Sequence, residues 1–68
     1  MKVHYDKEID AAYIKLSDYQ PDGAIEISDD INIDVTEKDE IVGIEILNAS
    51  KKFPINTFYK YELEGNEI

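Results

Sequence analysis

The sequence predicts an α+β domain that is mostly β: an antiparallel meander of four to five strands, one short helix after the Gly43-Ile44-Glu45-Ile46-Leu47 strand, and a C-terminal strand or tail. Three observations carry this. Residues 24–35 alternate almost without fault, with Ile25, Ile27, Ile31, Ile33 and Val35 apolar and Glu26, Ser28, Asp30, Asn32 and Asp34 polar between them. A period of two marks a strand with one buried and one wet face, whereas a helix would set Ile25 and Ile27 about 200° apart. The segment 41–47 matches that pattern in register. The alternation then stops at 47–53, ahead of Pro54.

Taken in order, residues 3–5 and 11–16 read as two strands split by Asp6-Lys7-Glu8 and Asp10. Opposing Val3 to Ile14 and Tyr5 to Ala12 keeps their apolar faces together. Residues 17–23 form a loop, with Pro21 and Gly23 supplying turn geometry. For 24–35, a two-residue turn at Asp29-Asp30 would oppose Ile27 to Asn32 and mix the faces. A three-residue loop, Ser28-Asp29-Asp30, instead pairs Ile27 with Ile31 and Ile25 with Ile33, with Asp30 in the left-handed position. The alternative is one long bent strand. Next, Val35 opposite Val42, Ile33 opposite Ile44 and Ile31 opposite Ile46 leaves Glu37-Lys38-Asp39-Glu40 as a four-residue hairpin loop.

Residues 47–53 read as the helix, with Asn48 as N-cap, Lys51 and Lys52 where a C-terminus favours cations, and Pro54 as its stop. In the tail, Tyr59, Tyr61 and Leu63 alternate as in a strand, while Ile55, Phe58, Tyr59 and Leu63 also fit a helical face. Aromatic and threonine content favours a strand at 57–63. Residues 65–68 are expected to fray.

At 68 residues the chain reads as one small domain. A domain of this size buries only about 60% of its unfolded surface. It has no cysteine to supply a disulfide or a thiolate metal site. Oligomerisation is the remaining common source of burial, so a homo-oligomer is expected. Seven basic against sixteen acidic residues give a net charge of −9. Such a field repels nucleic-acid phosphates and anionic membranes and would steer a basic protein partner inward at low salt. With no signal-peptide-like start and no long apolar run, the expected setting is cytoplasmic.

No convergent chemistry emerges from the residues. Asp30, Asn32 and Asp34 mimic the start of a calcium loop, but Val35 stands where glycine is required and Ile41 where a bidentate glutamate is required. The same residues are explained as the wet face of a strand. His4 is the single histidine, too little to seed a zinc site, and Ser17, Ser28 and Ser50 lie in no nucleophile motif. Pairs such as Asp29/Asp30 are what any chain this acidic contains. We therefore expect no catalytic, cofactor or metal residues. The second face of the sheet would carry Ala11, Tyr13 and Lys15 on one strand and Ile41, Gly43 and Glu45 on another. Gly43 inside a strand suggests a bulge or a close approach. Tyr13 and Ile41 could form an apolar patch there, covered by the helix, the tail or another chain. Tyr13, Ile41, Gly43, Glu45, Tyr59 and Tyr61 are the candidate interaction residues.

Tyr5-Asp6, Asp10-Ala11-Ala12-Tyr13-Ile14, Ile33-Asp34-Val35 and above all Gly43-Ile44-Glu45-Ile46-Leu47-Asn48-Ala49-Ser50 resemble the domain of unknown function 2283 family, small uncharacterised microbial proteins. The resemblance spans residues 3–50. Two departures are Ala12, where the family more often has a larger aliphatic, and Glu40, where a hairpin glycine is common. The resemblance implies a compact domain and no transferable catalytic residues. Association of some members with toxin-like genes suggests an antitoxin or accessory role. The leading expectation is a non-catalytic protein-interaction module. Its rivals are a small-ligand protein or enzyme using His4, Tyr13 and nearby carboxylates between subunits, and a purely structural homo-oligomer.

Overall fold

Each alternating run up to Leu47 becomes a strand. The computed structural model describes residues 1–66, with β1 at Lys2–Asp6, β2 at Ala11–Lys15, β3 at Gly23–Ser28, β4 at Ile31–Val35 and β5 at Ile41–Leu47. The helix α1 (Ala49–Lys52) and a 3₁₀ turn (Ile55–Tyr59) follow. All strand pairings are antiparallel, in the order β1-β2-β5-β4-β3. The β1–β2 hairpin and the β3–β4–β5 meander are thus two separate units, joined where β5 lies beside β2.

The register is largely the one the side-chain pattern dictates. Val3 opposes Ile14 and Tyr5 opposes Ala12. Ile25 opposes Ile33, and Ile33 and Ile31 oppose Ile44 and Ile46. One face of the sheet therefore carries two cross-strand rows. The first runs Val3–Ile14–Ile44–Ile33–Ile25 over all five strands. The second runs Tyr5–Ala12–Ile46–Ile31 over four.

Two connections differ from expectation, both through bulges. Ser28, not Ile27, opposes Ile31, so the turn is only Asp29-Asp30 and Ile27 is the extra residue of a bulge between Glu26 and Ser28. That bulge absorbs the face mismatch for which a two-residue turn was rejected. Asp30 accordingly does not take positive φ; the left-handed aspartates are Asp10 (φ 53°) and Asp39 (φ 63°). In the second connection Val35 opposes Ile41 rather than Val42, with the register shifting after Asp34. Val35 and Val42 are nevertheless both buried. Hydrogen bonding inside the 36–40 turn explains the choice: Thr36 Oγ1 accepts from the amides of Lys38 and Glu40, and the Thr36 amide donates to the Glu40 carbonyl at 2.9 Å.

The C-terminal third departs further. The helix is one turn, and Asn48 does not cap it through its side chain; it sits in left-handed geometry at φ 52° and redirects the chain out of β5. The expected strand at 57–63 is absent. Residues 55–59 wind into 3₁₀ geometry, with the Thr57 amide donating to the Pro54 carbonyl at 2.9 Å. Phe58 stacks on Tyr5, centroids 6.1 Å apart, and meets Phe53 edge-on. The helical spacing of Ile55 and Phe58 won because it places both half-buried, whereas Tyr59, Tyr61 and Leu63 stay exposed. Of residues 65–68, expected to fray, Gly65 and Asn66 are exposed and 67–68 lie outside the described residues.

The core is small and off-centre. Its packed cluster is Ala12, Ile46 and Ala49, with Tyr5, Ile14, Ile44 and Phe58 around them; Val35 and Val42 are buried apart from that cluster. Helix and 3₁₀ turn thus cover one end of the isoleucine-bearing face. The second face, where the sequence offered helix or tail as one covering, lies on the other side. Among the described residues no helix is long and apolar enough to cross a membrane.

Candidate functional site

The six sequence-derived candidates fall into separate places. Tyr13, Gly43 and Glu45 share the second face. There the Tyr13 side chain crosses Gly43 and its hydroxyl donates to Asp34 Oδ2 at 3.0 Å. Gly43 is required for that crossing: a Cβ would collide with the Tyr13 hydroxyl, sit 2.6 Å from Cζ and 2.7 Å from the Ile14 carbonyl oxygen. Partial burial, the bond to Asp34 and the nearby charges of Asp34 and Glu45 push the Tyr13 phenol above its usual range. It is held neutral. Glu45 accepts from Asn32 Nδ2 at 3.3 Å. Ile41 lies at the start of β5 beside the register shift, half exposed. Tyr59 and Tyr61 belong to the opposite side, where with Met1, Val3, Ile14, Ile46, Phe53 and Phe58 they line an open groove of about 320 Å³.

His4 and Tyr13 of the enzyme reading do stand in one cross-strand row with a carboxylate, that of Glu45. They border a shallow depression with Asp6, Ile9 and Ala11. Tyr13 already donates its hydroxyl proton to Asp34 there, so the row presents no free phenol to a substrate. Among the described residues no group of three His, Cys, Asp or Glu side chains is placed to hold a metal ion.

What sequence reasoning missed is the pair of aspartates that lock the corner after β5. Asp10 accepts the Tyr5 hydroxyl at 2.7 Å, the Ser50 amide at 2.9 Å and the Ser50 hydroxyl at 2.7 Å, and its carbonyl accepts the Ala49 amide at 3.0 Å. It serves as the helix cap that Asn48 was expected to be, supplied from 40 residues away. The bonds from Tyr5 and then Ser50 hold its carboxyl below the usual range, and the same contact raises the Tyr5 phenol. Asp30 does the matching task on the other hairpin. Its carbonyl accepts the Leu47 amide at 2.7 Å, and its carboxylate takes Asn48 Nδ2 and the Lys52 ammonium, both at 3.1 Å. Lys52 first, then Asn48, lowers its pKa. Leu47-Asn48-Ala49-Ser50 is therefore a structural clasp: a left-handed Asn, a wholly buried Ala and a doubly donating Ser.

The surface without internal partners is the remainder of the isoleucine face. Ile25 is 47% and Ile27 58% exposed, and every residue of β3 is exposed. The 3₁₀ turn packs on β1, and among the described residues nothing makes a comparable contact with β3 or β4 except their sheet neighbours. The row positions of this face, from Val3 to Ile25, carry no charge.

A thin antiparallel sheet, a clasped helical corner and an uncharged face left half bare define a small α+β domain. The chain belongs to the family described as protein of unknown function (DUF2283), which matches residues 2–50, from β1 to the Ser50 of the clasp. It is also 40% identical over all 68 residues to the uncharacterized protein MJ0789 of Methanocaldococcus jannaschii. The chain spans 55% of that relative's length. No solved structure matches it.

Proposed function

We propose that this chain is a non-catalytic protein-interaction module whose first partner is itself. One observation carries the reading: the surface is too large for the mass. A compact 7.8 kDa monomer would expose about 4,400 Å² by the usual scaling. This chain exposes 5552 Å². Among the described residues no large side chain is fully enclosed, while Ile25, Ile27, Leu16 and Met1 are open to water. The radius of gyration, 13.1 Å, likewise exceeds the ~11 Å of a compact domain of this length.

The net charge of −9 supports a second occupant, a basic protein, at low salt. The uncharged character of the bare face favours self-association over it. Sedimentation equilibrium over a concentration series tests the reading. The expected result is a mass rising towards a multiple of 7.8 kDa. A monomer throughout the range overturns it.

A further inference from the structure

We infer that the partner is a second copy of this chain, seated sheet against sheet on the Ile44–Ile33–Ile25 end of the first cross-strand row. This deepens the self-association reading and rests on it. The excess of roughly 1,200 Å² over a compact monomer is shared between the exposed residues Tyr59, Tyr61 and Leu63 and the open sheet face with Ile25 and Ile27, and a standard interface takes ~800 Å² from each partner.

Three features select this face over other surfaces. First, the tail-lined groove occupies the Met1, Val3 and Ile14 end of the same row, so the open stretch is centred on Ile33. Second, the alternative of pairing β3 edge to edge meets the bulge between Glu26 and Ser28, which interrupts a flat ladder. Third, strand alternation sends Glu26, Asn32, Asp34 and Glu45 to the other side. Two copies can therefore join with their carboxylates outward, although each carries −9. The molecule is 18 Å through its thinnest dimension. A second sheet about 10 Å away, the usual face-to-face spacing, would convert this open layer into a sandwich. A two-fold arrangement matches one aliphatic patch to itself.

The chain has no cysteine, which makes single-cysteine variants clean probes. Ile25→Cys, Ile33→Cys and Glu26→Cys are prepared and treated with a short bismaleimide at a concentration where the wild type self-associates. Covalent dimers are expected from the first two and not from Glu26→Cys, whose side chain is on the other face. Equal cross-linking of Ile25→Cys and Glu26→Cys, as edge pairing would give, overturns the face assignment while leaving self-association standing. A wild-type chain that is monomeric in sedimentation overturns both. Ile25→Glu, at an exposed edge position, should keep its circular dichroism and weaken dimerisation by on the order of tenfold or more. An unchanged dimer constant overturns the assignment. Added salt should strengthen the homodimer by screening like charges, the opposite of its effect on a basic partner.

Discussion

The two ends of the isoleucine face obey the same binary pattern and end in opposite states. At the clasped end Ala12, Ile46 and Ala49 are enclosed under Phe58 and the helix, and Asp10 ties the corner shut. At the other end Ile25 and Ile27 stand half in water. Alternation dictates which side a residue faces; whether that side becomes an interior depends on a second layer. Here the second layer is one helical turn and a 3₁₀ turn, enough to cover one end.

Variants can break or sharpen that contrast. Ile46→Ala, in the enclosed end, should cost about 2–5 kcal/mol of folding stability in urea titration; a loss below 1 kcal/mol would mean this end is not the core. Gly43→Ala should cost about 1–3 kcal/mol, because the obstacle includes the Ile14 main chain and not only the Tyr13 ring. Adding Tyr13→Phe to it should restore only the share due to the hydroxyl. Asp10→Asn tests the clasp through pH. The folded carboxyl titrates below its ordinary 3.8, so its contribution is fully present above that value and is lost as pH falls through the lowered folded pKa. Wild-type stability should decline across that acid window, and the variant should begin lower with a shallower slope. Identical slopes would remove Asp10 from the account. Ile25→Thr, at the bare end, should change the stability of the dilute monomer by no more than about 0.5 kcal/mol. A large loss there would show that this end is already enclosed in a single chain.

Much of the sheet was legible because period-two patterning and cross-strand matching are local arguments. All five hairpin pairs among Val3, Tyr5, Ala12, Ile14, Ile25, Ile31, Ile33, Ile44 and Ile46 follow from which register keeps apolar partners together; the pairs Ile27–Ile31 and Val35–Val42 do not form. The bulges at Ile27 and after Asp34 were not legible, since a turn's hydrogen bonds decide whether one residue is extruded. The helix cap was misplaced for a related reason: the sequence shows Asn48 next to the helix but not that Asp10 will arrive from the first hairpin. The candidate site was the least legible. Tyr13, Gly43 and Glu45 drew notice as an interrupted second face, yet Tyr13 and Glu45 bond within the chain to Asp34 and Asn32. Ile25 and Ile33 read as interior because alternation carries no information about how much cover the chain can supply. Counting the residues left over after the strands would have been the signal.

The neighbouring placement of β2 and β5 has a kinetic consequence. Its partners are 28 to 36 positions apart, so the sheet's central seam must wait for a long loop to close, whereas both hairpins can form at once. A hairpin formed ahead of the seam would have its aliphatic side unprotected. Sixteen acidic side chains then act as mutual repellents between nascent chains, holding strangers apart until the seam zips.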